Sequence, residues 1–188
     1  MEYEKIAVGF HLVGFALGLG GATISDIIFF QALRRKLITE DRFTLLMTIS
    51  KIVWVGLLVL IISGATLFAL IYAEQGSLSL LNSPRWQAKL TLVAIVLING
   101  LFFKFSIFPR LRALANQQLS ISNVGPSMWK LAISGSISIA SWYGIMIISL
   151  LPRTVRPPYW EFMGIYIVIV LAGILIGKTL VARTIKSN

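Results

Sequence analysis

Five long apolar stretches, separated by short polar segments, dominate the pattern along the chain. They cover residues 6–33, 44–72, 84–108, 127–151 and 159–181. Each is longer than the roughly 20 apolar residues that an α-helix needs to cross a bilayer. The pattern therefore predicts an all-α polytopic membrane protein, a five-transmembrane-helix bundle in which residues 1–188 form a single domain.

The basic residues between these stretches predict an orientation. Most of the 17 basic residues lie in or beside segments 34–42, 109–126 and 182–188. Lys and Arg are enriched in cytoplasmic loops, so this bias places the N-terminus outside and the C-terminus inside. We expect a multi-pass protein of the inner (plasma) membrane.

The composition narrows the class of protein further. The chain is 57% hydrophobic and 13% charged, with a mean hydropathy of +0.86, which excludes an ordinary soluble domain. In a soluble protein, a net charge of +10 would suggest nucleic-acid binding. Here the concentration of Lys and Arg in the predicted cytoplasmic segments accounts for the positive charge, and no nucleic-acid partner is predicted. The expected partners are the lipid bilayer and either a second copy of the chain or a larger membrane complex. The lack of cysteine excludes iron–sulfur clusters and covalently attached haem.

Small residues form a stripe along the first stretch. They recur at spacings of three and four, which places them on one helix face together with a single imidazole. The stripe consists of Ala7, His11, Gly14, Gly18, Gly21 and Ser25. Small residues let another backbone or a flat cofactor approach closely, so this face should meet protein or a ligand.

Two ionisable residues lie deep in the first two spans. Asp26 and Lys51 each stand about seven residues from the same membrane surface, which is roughly 10 Å at the rise of an α-helix. They are predicted to form an intramembrane ion pair across the hairpin, and a structural pair is favoured over a proton relay. Lys104 enters at a similar depth and either joins this pair or extends to the surface.

A second group of candidate residues lies near the opposite surface. His11, Met146 and Met163 fall at similar depths, and an imidazole with two thioethers is a ligand set that suits Cu(I). The alternative is that the methionines pack and the histidine bonds a serine. Further polar or aromatic candidates around this half are Lys89, Ser138, Trp142, Tyr143 and Glu161.

Short motifs in the first three spans resemble a known family. They are His11 followed by the GLGG of residues 18–21, Phe43 leading into a span that ends in ISGATLF, and a third span that opens with Trp86 and Lys89. Together they resemble the bacterial copper-resistance protein D group and related small bacterial membrane protein families, over roughly residues 1–110. The resemblance implies a four-helix core with a fifth helix added, copper movement across the inner membrane, His11 as a ligand and Lys89 as a positioning residue.

Three functions follow from these residues. The first is handling of a copper-type metal ion at His11, Met146 and Met163 in the outer half of the bundle. The second is haem-based electron transfer, as in small b-type membrane cytochromes. His11 would be the axial ligand, and a porphyrin would lie against Gly14, Gly18, Gly21, Trp142 and Tyr143. The third is a non-catalytic accessory subunit of a larger membrane complex. An enzyme is disfavoured, because no HExxH or GxSxG motif is present.

Overall fold

The computed structural model describes residues 2–119, 121–152 and 154–186, and of residues 121–128 and 181–186 it describes the backbone only. Its helices are α1 Glu2–Arg34, α2 Glu40–Gln75, α3 Pro84–Phe102, α4 Phe108–Ala113, α5 Ile121–Leu150 and α6 Tyr159–Lys186. A short 3-10 helix covers Ser79–Asn82, and a π-helical turn, Phe103–Ile107, joins α3 to α4.

Within the described residues, five helical segments are long and apolar enough to cross a membrane, which confirms the predicted all-helical class and the predicted number of long apolar helices. They are Glu2–Arg34, Glu40–Gln75, Pro84–Ala113, Trp129–Leu150 and Tyr159–Leu180. The third runs past Pro109, where the sequence pattern predicted its end. A π turn accommodates the proline, because the Phe108 N–H bonds to the Phe103 carbonyl five residues back and the wider turn eases the clash of the ring with the preceding turn.

Residue chemistry at the helix ends explains where α2 begins and stops. The hydroxyl of Thr39 accepts a hydrogen bond from the Arg42 N–H at 3.3 Å, which caps the first turn. At the other end Gly76 adopts a left-handed conformation, with φ of 59°, and its N–H bonds to the Tyr72 carbonyl. Glycine adopts this conformation without steric cost, so it ends the helix.

The helices pack around α5. α1 and α2 form an antiparallel hairpin with the most extensive interface, while α5 contacts α1, α3 and α6. We call the end of the bundle with residues 35–39 and 114–119 the first-loop end, and the end with residues 76–83 and 151–158 the second-loop end. Each end has its own apolar core.

Backbone hydrogen bonds join the two connections at the first-loop end. The Asn116 N–H donates to the Ile38 carbonyl at 2.7 Å, and the Leu119 N–H donates to the Lys36 carbonyl at 2.8 Å. The side-chain oxygen of Asn116 accepts from the Glu40 N–H at 3.1 Å. These bonds tie the α1–α2 connection to the α4–α5 connection. The apolar core beneath them, the first-loop cluster, consists of Ala32, Leu33, Ile38, Phe43, Ile107, Leu111, Leu114 and Leu119.

A second apolar core, the second-loop cluster, fills the opposite half. It includes Trp142, which is only 2% exposed and is the largest of the fully buried side chains. The other members are Leu57, Leu60, Ala88, Leu92, Val96, Ile145, Ile148 and Phe162. A pocket with several polar side chains in its wall lies between this cluster and the first one.

Glycines bring the α1 and α2 backbones into contact. A methyl group on Gly14 would stand 2.7 Å from the Leu60 nitrogen and 2.8 Å from the Gly56 oxygen. One on Gly56 would stand 2.7 Å from the Gly18 nitrogen. These are backbone atoms that cannot turn aside, so the hairpin depends on glycine at these positions.

Gly14→Ala should therefore lower the stability of the bundle by about 1–3 kcal/mol, because the two helices must separate to admit the methyl group. Thermal unfolding in detergent, followed by circular dichroism, measures the change. Gly20→Ala is the matched control on the same helix, since its new methyl group would meet no atom within 4 Å. Equal melting temperatures for the two variants would contradict the packing argument.

Candidate functional site

A pocket of about 120 Å³, with mostly apolar walls and several polar side chains, lies between the two apolar clusters. Leu111 of the first-loop cluster and Leu57 and Val96 of the second-loop cluster form part of its wall. Its polar lining comes from α1, α2, α3 and α5, and consists of Ser25, Asp26, Ser50, Asn99 and Ser138. We call it the Asp26 pocket.

The carboxylate of Asp26 has no partner in the part of the chain that the structure describes. No hydrogen bond or ion pair joins it to another described residue. An ionised carboxylate away from water is costly unless a positive charge or hydrogen-bond donors compensate it. The Asp26 oxygens are accessible from the pocket, since no fully buried side-chain oxygen of the described residues lacks a hydrogen-bond partner. The carboxylate can therefore bond only to what occupies the pocket.

The predicted ion pair between Asp26 and Lys51 is not formed. Lys51 is exposed on the outside of α2, whereas the residue before it, Ser50, lines the pocket. One residue along a helix turns the side chain by about 100°, so equal depth did not imply a shared face. Lys104 does not join Asp26 either: it is exposed, with its ammonium 5.5 Å from the centre of the Phe105 ring.

Asn99 has its hydrogen-bonding groups committed to α5. Its side-chain nitrogen donates to the Ser134 carbonyl at 2.9 Å, and its side-chain oxygen accepts from the Ser134 hydroxyl at 2.7 Å. Both side chains are buried. This reciprocal pair fixes α3 against α5 at the wall of the pocket, a few residues before the π turn.

The glycine stripe of α1 is covered by protein. α2 packs on Gly14 and Gly18, and the Val53 side chain would stand 2.6 Å from a methyl group on Gly21. The Trp142 ring fills the remaining side of Gly18, where a methyl group would stand 2.6 Å from Cζ3 and closer still to Cη2. The predicted porphyrin surface is therefore an interface between helices, because the same small side chains that admit a flat ring also admit a backbone.

His11 contacts α2 near the second-loop end. Its Nδ1 lies 3.1 Å from the Ser63 hydroxyl oxygen, which itself donates to the Val59 carbonyl at 2.6 Å. The Ser63 hydroxyl also lies 3.2 Å from the Leu60 carbonyl. Which partner donates in the bond between His11 and Ser63 depends on which ring nitrogen carries the proton. Lys89 is close enough for its charge to act on this imidazole.

The other predicted site residues are spread over α3, α5 and α6. Met163 packs against the second-loop cluster, and Met146 is partly buried on α5. The ammonium of Lys89 stands 5.8 Å from the centre of the Trp86 ring. Tyr143 shares a 3.2 Å hydrogen bond with Thr23, and Glu161 lies partly buried in the first turn of α6. Within the described residues, no three His, Cys, Asp or Glu side chains cluster closely enough to hold a metal ion.

Sequence reasoning singled out Asp26 and Ser138 but did not place them together. It missed the pocket contributions of Ser50 and Asn99, and it assigned Trp142 to a cofactor rather than to the wall of a cavity. The sequence did contain a signal for the pocket, because several of the predicted spans carry a polar residue near their middle. Such residues tend to face the interior of a bundle, so they could have been predicted to lie together.

No protein-family model matches this chain, and no curated protein or solved structure matches it either. The resemblance to the copper-resistance protein D group stays a prediction from the residues quoted above.

The Asn99–Ser134 pair should be strongly coupled. Asn99→Ala and Ser134→Ala should each cost about 1–3 kcal/mol, because each leaves a buried polar group without its partner. The double variant should cost clearly less than the sum of the two. Reversible unfolding in mixed micelles measures all three. Asn82→Ala, in the exposed connection before α3, is the control and should change stability by less than about 0.5 kcal/mol. Simple additivity would show that the pair does not join α3 to α5.

Proposed function

We propose that this protein binds a small monovalent cation in the Asp26 pocket and moves it across the membrane. The observation that carries the proposal is a carboxylate that has no partner among the described residues and that lines a pocket between apolar helices. Ionisable groups in such positions mark substrate and ion pathways in membrane proteins. With the N-terminus outside, as the basic residues predict, the pocket lies nearer the cytoplasmic surface of the inner membrane.

The chemistry of the lining favours a monovalent cation other than Cu(I). Apart from the indole groups of Trp54 and Trp142, the polar side chains of its described lining carry carboxylate, hydroxyl or amide groups, and no thioether or imidazole is among them. Cu(I) prefers soft sulfur ligands, whereas carboxylate and hydroxyl oxygens suit hard cations. A single carboxylate supplies one negative charge, so a monovalent cation leaves the occupied pocket neutral.

The position of the pocket also suits transport. Apolar clusters lie on both sides of it along the bundle, and each contributes residues to its wall. A ligand in the pocket would be separated from either end by a layer of packed side chains. Movement across the membrane would require the two layers to open in turn, as in alternating access. The π turn next to the pocket is an irregularity of the kind found at functional sites.

Asp26→Asn should abolish cation-dependent stabilisation, because it removes the charge while it keeps the size of the side chain. Thermal unfolding of the detergent-purified chain is measured in sodium, potassium and tetramethylammonium chloride. N-methylglucamine chloride at the same ionic strength serves as the bulky reference. At a ligand concentration of about 100 times Kd, binding should stabilise the unmodified chain by about 2.7 kcal/mol.

Asp41→Asn is the matched control, because Asp41 is exposed in the first turn of α2. This variant should keep the full response to the cation. If no cation stabilises the unmodified chain more than the reference does, or if Asp26→Asn responds equally, the proposal fails. The accessory-subunit hypothesis would then be the better account of the bundle.

Copper handling at His11 is the second candidate, and one observation favours it. Nδ1 of His11 is hydrogen-bonded to Ser63, and a bond from one ring nitrogen to a second residue is the way in which a metal-binding imidazole is oriented. The nearby charge of Lys89 opposes a cation at this position. This candidate therefore ranks below the Asp26 pocket.

For copper handling, elemental analysis of protein loaded with Cu(I) should find stoichiometric copper that is lost in His11→Ala. Ser63→Ala should weaken copper binding about 10- to 100-fold, because the imidazole loses its orienting partner. Met146→Leu and Met163→Leu test the two predicted thioether ligands, and Met47→Leu is the control outside the predicted set. Unchanged copper content in His11→Ala would remove this candidate.

A further inference from the structure

Aromatic side chains form a large part of the wall of the Asp26 pocket. They come from α1, α2, α5 and the region of the π turn, and they surround the same space that Asp26 faces. The five are Phe29, Trp54, Phe103, Phe108 and Trp142. We infer that the ligand of this pocket is a small organic ammonium ion, held by the carboxylate of Asp26 and by the faces of these rings. This inference rests on the proposed function and names its substrate class.

The combination of one carboxylate and several rings distinguishes organic from inorganic cations. The face of an aromatic ring attracts a cation, and the attraction grows when the site is shielded from water. Aromatic cages are the way in which proteins recognise quaternary ammonium groups. An alkylated ammonium presents methyl groups to the apolar wall and spreads its charge over a larger surface. Its transfer from water into the pocket therefore costs less free energy than that of an inorganic cation.

The polar side chains of the pocket carry a single negative charge. Asp26 supplies that charge, and three serines, Ser25, Ser50 and Ser138, add neutral hydroxyl groups. Asn99 is bonded to Ser134 through both ends of its amide. The rest of the lining is largely apolar, and such a wall suits an alkylated ammonium better than a fully hydrated inorganic ion.

The volume of the pocket limits the size of the ligand. An engineered cavity of about 150 Å³ holds benzene, which has six heavy atoms. The Asp26 pocket, at about 120 Å³, should hold a cation with about five heavy atoms. Tetramethylammonium has this size, and tert-butanol is a neutral molecule with the same number of heavy atoms.

Trp54 is the ring best suited to a test. Trp142 also supports the packing on Gly18, so its substitution would disturb the bundle as a whole. Trp54 is only partly buried, and it faces the pocket from α2 beside Gly100 of α3. Its indole can be shortened to a phenyl ring, which keeps an aromatic face, or to Leu, which removes it.

The experiment is isothermal titration of the detergent-purified chain with tetramethylammonium, sodium, potassium and tert-butanol. Tetramethylammonium should bind at least tenfold more tightly than sodium or potassium, and tert-butanol should not bind measurably. Trp54→Leu should weaken tetramethylammonium binding about tenfold, and Trp54→Phe should weaken it less. Asp26→Asn should abolish it. Trp129→Leu, which removes an exposed indole from the same bundle outside the pocket, should bind like the unmodified chain.

The outcomes separate this inference from the proposed function. If sodium or potassium binds in an Asp26-dependent manner and tetramethylammonium does not, the organic-cation inference falls and the proposed function stands. If Trp54→Leu binds tetramethylammonium as the unmodified chain does, the aromatic recognition falls. If no cation binds, or if tert-butanol binds as well as tetramethylammonium, both fail. Size-exclusion chromatography establishes that each variant is folded. Phe29→Leu takes the place of Trp54→Leu if that variant is not, and should weaken tetramethylammonium binding in the same way.

Discussion

The close approach of helices at Gly18 is the constraint on which the rest of this structure depends. The Trp142 ring occupies the place of any side chain on Gly18, and the backbone nitrogen of Gly18 occupies the place of a side chain on Gly56 of α2. This contact joins the α1–α2 hairpin to α5, the helix that also contacts α3 and α6. Because the ring is held in this position, it forms both part of the second-loop cluster and one wall of the Asp26 pocket. The Trp142 side chain therefore contributes both to the packing of the helices and to the wall of the pocket.

The pocket exists because polar side chains on four helices turn toward one space without satisfying each other. Asn99 and Ser134 complete their bonds as a pair, and these bonds hold α3 and α5 together. Asp26 has no such partner among the described residues. A carboxylate among apolar helices contributes nothing to stability when no protein group compensates its charge. The presence of this uncompensated charge is explained if the carboxylate binds a ligand.

The region around the π turn shows how a local irregularity can shape such a space. Phe103 and Phe108 lie at the two ends of the wider turn, and both line the pocket. Pro109 follows directly, and the chain continues as a helix because the turn has made room for its ring. The same segment joins the pocket to the first-loop cluster through Ile107 and Leu111. A change in the geometry of this turn would alter both the wall of the pocket and the packing at one end of it.

The sequence by itself determined the helical class, the five apolar segments and the position of each polar group along its helix, because these depend only on hydrophobic runs and on the rise per residue. It also predicted that the glycine stripe would meet another surface. Only the tertiary structure decided which surface: Gly14 meets α2 and Gly18 also meets Trp142, so the stripe packs helices instead of a porphyrin. It likewise decided that Asp26 faces a pocket while Lys51 faces outward. The position of a residue along the helix axis depends on one helix alone. Which neighbour its side chain meets depends on how the surrounding helices pack.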